Sequence, residues 1–283
     1  MTRTLLITGA SGQLGRRVAR AAAAARWRVT GTYLREPVEI PSVEWKRLDL
    51  QHRDDVDALV CATRPDAVVH TAFLLAGPGF WTINADGAAH VARATAEVGA
   101  RLIHISSDSI FDGEHAPYSE ADAPSPITPY GASKAAAETA VGALLPGAAI
   151  VRTSLIVDDD PLDNHSRMIM DIAAGRRSVA LFTDEIRCPI AAADLAAAVI
   201  ELIDLPYAGP LHVVGPDDVS RYELGTLVAR RYALDPALLA ASTLAESGLR
   251  RPADLRLDTG RARDLLRTPL RGVREFLSPI QPV

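Results

Sequence analysis

The stretch Thr8-Gly9-Ala10-Ser11-Gly12-Gln13-Leu14-Gly15 constrains this chain more than any other. Ahead of it runs the apolar Leu5-Leu6-Ile7, which predicts a buried strand. Behind it, residues 16–25 are rich in alanine and predict a helix. The glycines at 9, 12 and 15 therefore form the turn between a strand and a helix. Glycine adopts backbone conformations closed to other residues and carries no Cβ to hold a phosphate away. The N–H groups that open the helix, aided by its dipole, favour an anion. Such a turn is the pyrophosphate site of a dinucleotide-binding fold. Its candidate cofactor residues are Gly9, Ser11, Gly12, Gln13, Leu14 and Gly15.

Strand and helix signals alternate beyond that turn. Residues 29–33, 45–50, 67–72, 101–106 and 148–153 predict strands, and 54–63 and 83–98 predict helices, as does the stretch from Tyr130 to about Ala143. That alternation predicts an α/β fold, a doubly wound parallel sheet of the Rossmann type with helices on both faces. Further on, 164–174 and 191–202 predict helices and 211–214 a strand. Ser220 with Glu223 three residues later reads as a capping box. The expected division is a nucleotide-binding part, residues 1–155 plus about 190–215, and a smaller C-terminal substrate-binding part, about 156–189 and 216–283.

In open sheets of this kind ligands sit outside the carboxyl ends of the strands. Ser106-Ser107-Asp108 stands at the end of the fifth strand, and Tyr130-Gly131-Ala132-Ser133-Lys134 opens the helix after a Pro-rich loop. Tyr130 and Lys134 are one helical turn apart and share a face. The chain has only two lysines, Lys46 and Lys134, which makes this pairing more informative. Reduction of a carbonyl leaves an alkoxide that must be protonated, and a tyrosine hydroxyl can donate that proton. Its ordinary pKa is about 10, and lowering it by about three units requires about 4 kcal/mol. A nearby ammonium and a positively charged nicotinamide ring are expected to supply that shift. Lys134 can also donate to the nicotinamide ribose. Ser107 can hydrogen-bond the carbonyl oxygen and polarise it. The expected catalytic set is Ser107, Tyr130 and Lys134.

The end of the second strand bears on the cofactor. An acid there would hold the 2′-hydroxyl of NAD, and an arginine would suit the 2′-phosphate of NADP. Arg35 follows the strand, with Glu36 after it. NADP is therefore expected, with NAD as the other possibility. Asp49 reads on its own as the start of the next helix.

Together these segments resemble the extended short-chain dehydrogenases/reductases, and within them the dTDP-4-dehydrorhamnose reductase-like branch. The likeness rests on Thr8 to Gly15, Ser106 to Gly113, Tyr118-Ser119-Glu120, Tyr130 to Lys134 and Arg251-Pro252. It implies NAD(P)-dependent reduction of a keto group, often on a nucleotide-linked 4-keto sugar, and implies that Asp49, Leu50, Thr71 and Ala72 join the cofactor site. It also implies that the later segments form a small substrate domain, and that the helices at 83–98 and 134–143 can pair in a homodimer. Two segments differ from the branch. Residues 71–81 are more apolar than usual there. Ser109 stands where the branch has tyrosine and where sugar dehydratases carry a catalytic glutamate, which argues against dehydration. Asp108 is a candidate for orienting the substrate. Arg152, Arg187 and Arg251 are candidates for gripping its phosphate or pyrophosphate.

The net charge of −5 gives no reason to expect nucleic acid or a membrane surface as partner. The two cysteines, Cys61 and Cys188, and the seven scattered histidines show no metal-like spacing, so no metal is expected. Asp158-Asp159-Asp160-Pro161 reads as a solvated turn. The expected setting is cytoplasmic, and the expected partner a small-molecule substrate. Two other readings use the same residues: an epimerase that keeps its cofactor, and a regulatory or binding subunit that retains the fold.

Overall fold

The computed structural model describes residues 2–159 and 163–278. Seven strands form one parallel sheet: β1 (Thr4–Thr8), β2 (Arg28–Tyr33), β3 (Val43–Arg47), β4 (Ala67–His70), β5 (Arg101–Ile105), β6 (Ala149–Arg152) and an edge strand, Gly209–His212. Their spatial order is Gly209–His212, β6, β5, β4, β1, β2, β3. The chain thus winds outward in one direction from β1, then returns to its other side at β4. Between β1 and β4 lies the point where the winding reverses, the place where such sheets bind ligands.

Alternation along each strand builds two cores. Leu5, Ile7, Val69, Ile103, Ile105 and Val151 face α1 (Gln13–Ala24) and α6 (Ala192–Ile203). Leu6, Val68, Leu102 and Ile150 face α2 (Arg53–Thr63), α3 (Gly87–Glu97) and α4 (Pro129–Leu144). Burial on both faces explains why the strands read as continuous apolar runs. Each such side chain stabilises the fold by roughly 1.5–3 kcal/mol. A third cluster holds α5 (Asn164–Ala173) against α7 (Arg221–Arg231) through Ile169, Ile172, Leu224 and Val228. Among the described residues no helix is long and apolar enough to cross a membrane.

Several boundaries differ from expectation for local reasons. The first helix starts at Gln13 rather than Arg16, because extended Gly12 ends the turn. The third strand spans Val43–Arg47, so Leu48, Asp49 and Leu50 lie beyond the sheet. The fourth stops at His70. A five-residue π-turn, Thr82–Asp86, precedes α3. Ser220 caps α7 by accepting from the Glu223 N–H at 3.0 Å. The Glu223 carboxylate turns instead to Arg274 at 2.6 Å, so only half of the capping box forms. Asp160 and Pro161 of the acidic turn lie outside the described residues.

Candidate active site

The glycine turn forms a close-fitting cradle at the reversal point. Gly9 has a φ of +72°, and a Cβ there would lie 2.7 Å from the Ala72 Cα. The Gly12 N–H donates to the Gly9 carbonyl at 2.9 Å, and a Cβ on Gly15 would run into that same carbonyl. No side chain caps α1, so its opening N–H groups remain available to an anion. Ser11 and Gln13 sit half-buried at this helix end, while Leu14 is buried in the core. The Thr71 hydroxyl donates to the Thr8 carbonyl at 2.8 Å, tying the β4 exit to the cradle. Arg35 lies exposed beyond β2, with no hydrogen bond or ion pair among the described residues. Asp49 is half-buried and accepts from the Gln51 N–H at 3.0 Å, and Leu50 is buried beside it. These features fit a dinucleotide: a turn with glycines at its close approaches, a helix end without a side-chain cap and polar groups around it.

The serine, tyrosine and lysine expected to react come from the end of β5 and the first turns of α4. Ser107 leaves β5 and caps a short 3₁₀ turn, accepting from the Ser109 N–H at 3.1 Å. Thr128 caps α4 by accepting from the Gly131 N–H at 3.0 Å, and Pro129 occupies the first turn. Tyr130 and Lys134 follow on that helix. A Cβ on Gly131 would strike the Ser109 carbonyl, so backbone meets backbone where α4 docks against the turn after Ser107. The Lys134 Nζ donates to the Ile105 carbonyl at 2.6 Å, fastening the helix to β5.

Burial governs both reactive side chains, in opposite directions. It pushes the Tyr130 phenol up; the Ser107 hydroxyl, hydrogen-bonded to it, works against that rise, and the charge of Asp108 adds to it. It pulls Lys134 down to about 8, opposed by Glu138. The phenol thus keeps its proton. The expected lowering of Tyr130 by Lys134 does not arise among the protein's own groups, where burial is the largest influence and the Lys134 amine is turned to Ile105.

Asp108 is buried next to Ser107. It accepts from the Ser107 and Ser109 hydroxyls, each at 3.2 Å, and from Ser154 at 2.6 Å. Arg187 approaches it to 3.9 Å. Arg187 also reaches Glu185 at 3.1 Å, and Arg251 pairs with the same carboxylate at 2.9 Å. Arg221 lies 4.0 Å from it. A two-residue antiparallel pairing, Val219 opposite Arg187 and Ser220 opposite Ile186, brings this cluster together. Of the three arginines singled out from the sequence, Arg187 and Arg251 meet on Glu185. Arg152 does not join them: it is buried and held by Glu138 at 2.9 Å.

Sequence reasoning missed Glu185 and Arg221, whose meeting depends on that non-local pairing. It also missed Asn84. This buried amide donates to the Leu74 carbonyl and accepts from the Leu74 N–H, both at 2.8 Å, and it donates to the Ser133 hydroxyl at 3.0 Å. Asn84 falls in the π-turn ahead of α3, among other polar residues such as Asp86 and His90, so its sequence carried no distinguishing signal. His70 and His104, adjacent on β4 and β5, stack with ring centroids 5.1 Å apart. Burial pulls His70 down to about 3 and His104 well below its ordinary value.

The doubly wound sheet with a glycine cradle at its reversal point is the fold of an extended short-chain dehydrogenase/reductase, an NAD(P)-dependent oxidoreductase. The family model described as the RmlD substrate binding domain matches residues 3–280, and the chain belongs to that family. A dTDP-4-dehydrorhamnose reductase of Mycobacterium tuberculosis is 33% identical over 82% of this chain and 76% of its own. The methionine adenosyltransferase 2 subunit beta of Rattus norvegicus is 28% identical over 98% of this chain and 88% of its own. The crystal structure of dTDP-4-dehydrorhamnose reductase from Bacillus anthracis, in complex with NADP, superposes with a TM-score of 0.84 at 26% identity, covering 98% of each chain.

Proposed function

We propose that this protein reduces a keto group, on a nucleotide-linked 4-keto sugar or a similar small molecule, with NADPH. The observation that carries the reading is the convergence of Ser107, Tyr130 and Lys134 beside the glycine cradle. The balanced reaction joins ketone, NADPH and a proton to give a secondary alcohol and NADP+. When bound, NADPH supplies the hydride. Gly9, Ser11, Gly12, Gln13, Leu14 and Gly15 receive the pyrophosphate, with Asp49, Leu50, Thr71 and Ala72 around the rest of the cofactor. Arg35, exposed and without an ion-pair partner among the described residues, suits the 2′-phosphate. Ser107 donates to the carbonyl oxygen, and Tyr130 Oη gives up its proton as that oxygen becomes an alkoxide. Lys134 holds the ribose hydroxyls, and Asp108 orients the substrate. Arg187 and Arg251 are the groups suited to a substrate phosphate, because with Arg221 they put three guanidinium groups around the one carboxylate of Glu185, whereas Arg152 is matched one to one by Glu138.

The test is NADPH oxidation with a 4-keto sugar nucleotide. Tyr130→Phe is expected to lower turnover by about 10²–10⁴-fold, the usual contribution of a positioned acid. A variant that kept most of its turnover would end this mechanism. Arg35→Ser is expected to weaken NADPH binding about tenfold and leave NADH binding unchanged. Equal loss for both cofactors would remove the phosphate role. The likeness to methionine adenosyltransferase subunit beta favours one second reading, a regulatory subunit that binds NADP. A stoichiometric complex with another enzyme, and no turnover of any ketone, would support it.

A further inference from the structure

Tyr130, Lys134 and Glu138 stand at successive turns of α4, so three titratable side chains share one face of the helix. Lys134 and Glu138 are both buried, and residues four apart on a helix hold their Cβ atoms about 5–6 Å apart. Arg152, at the end of β6, grips the Glu138 carboxylate with two nitrogens. Its Nε lies 3.2 Å from each oxygen, and its Nη2 lies 2.9 Å from Oε2. The guanidinium is itself fixed in place: it lies 5.3 Å from the centroid of the Phe111 ring and donates to the Glu120 carbonyl at 3.4 Å. A pair buried this deeply adds little stability, because desolvation offsets most of the attraction. Its position, one turn from the lysine, gives it another use.

From the sheet, Lys134 meets groups that stay neutral. Burial lowers His70 of β4 and His104 of β5, and the charge of Lys134 lowers both further. On the helix Tyr130 keeps its proton, and the charge of Asp108 acts on that phenol. The turn before α3 brings the amide of Asn84 to the helix, through Ser133. Glu138 is the charge that opposes the effect of burial on Lys134. Two charges this close in a poorly solvated interior interact far more strongly than they would in water.

We propose that Glu138 and Arg152 are positioning residues for Lys134: the Glu138 carboxylate holds the amine as an ammonium, and Arg152 keeps that carboxylate ionised while limiting its pull. The ammonium is the form that donates best to the cofactor ribose and favours proton release from Tyr130, so the use made of the pair rests on the reductase reading. The charge coupling itself does not depend on that reading.

The chain has only two lysines, so lysine isotope-labelled at Cε gives two NMR signals whose titration can be followed separately. Lys46, exposed and paired with Glu44 at 2.6 Å, is the internal reference. In the wild type Lys134 should titrate at about 8. Glu138→Gln removes the anion and leaves the charge of Arg152 behind, and should lower that midpoint by about one pH unit. Arg152→Met unmasks the carboxylate and should raise it by a similar amount. Arg152→Lys, which keeps the charge, should restore the wild-type value. If the two broken pairs do not fold, the double variant Glu138→Gln/Arg152→Met leaves no buried charge unpaired and should still lower the midpoint, by less. Opposite shifts with Lys46 unmoved are the expected result. A midpoint that no folded variant moves, or that both single variants move in the same direction, overturns the coupling; with NADPH binding intact it leaves the reductase reading standing. NADPH affinity, measured across pH on the same proteins, should weaken as pH rises through the Lys134 midpoint and follow that midpoint in each variant. An affinity that ignores a shifted midpoint supports the coupling and removes Lys134 from the cofactor site of the reductase reading.

Discussion

The two sides of the site bury charge in opposite ways. On the sheet side, Lys134 is buried with the Ile105 carbonyl as its one hydrogen-bond partner among the described residues, and its pKa falls to about 8. On the other side, Arg187 is buried and Arg221 half-buried around the carboxylate of Glu185. Burial without an ion-pair partner perturbs a group's proton affinity, which is what acid–base chemistry requires. Burial with a partner leaves the charge in place and fixes its position, which suits a binding surface. The same act of burial therefore shifts the proton affinity of the one cation and fixes the charge of the others in place.

Removing the partner on the other side should have the largest effect. Glu185→Gln leaves the buried Arg187 and the half-buried Arg221 short of a carboxylate and should destabilise the protein by about 3–5 kcal/mol, read by denaturant unfolding. A loss under about 1 kcal/mol would mean that Asp108 alone balances the cluster. On the sheet side the sign reverses. The folded pKa of Lys134 lies below its ordinary value of 10.5, so at neutral pH the fold carries a penalty that is relieved only as pH rises above about 8. Lys134→Met should therefore stabilise the protein at pH 7 by about 2–3 kcal/mol while abolishing turnover. A destabilised variant would refute the contrast. The smallest effect lies in the stacked histidines. His70, pulled down to about 3, stays neutral in the fold while the unfolded chain takes up protons near 6.5. Stability should thus decline as pH falls below about 6.5, by about 2 kcal/mol for this residue at pH 5. His104→Leu should flatten that acid limb in thermal melts across pH.

The sheet was readable because both of its signals are local. Apolar runs bounded by turns gave the strands, and the glycine spacing gave the cradle. The serine, tyrosine and lysine were readable because a strand end and one helical turn place them. Arg152 misled because a strand-end arginine looks available; Glu138, one turn beyond Lys134 on the same helix, claims it. Glu185 and Arg221 were invisible because two-residue strands leave no periodicity to read. The environment of Tyr130 escaped for another reason. A spacing predicts which side chains are neighbours, but not how far each is removed from water.

Gly131 sets a tolerance for the whole reacting centre. Its missing methyl group is the clearance between the tyrosine's helix and the turn that follows the serine. Alanine at that position would act as a shim, prising two correctly made parts out of alignment without altering any reacting atom. Part of the working dimension of this catalyst is therefore specified by an absence, and the smallest possible side chain is already too thick to fit.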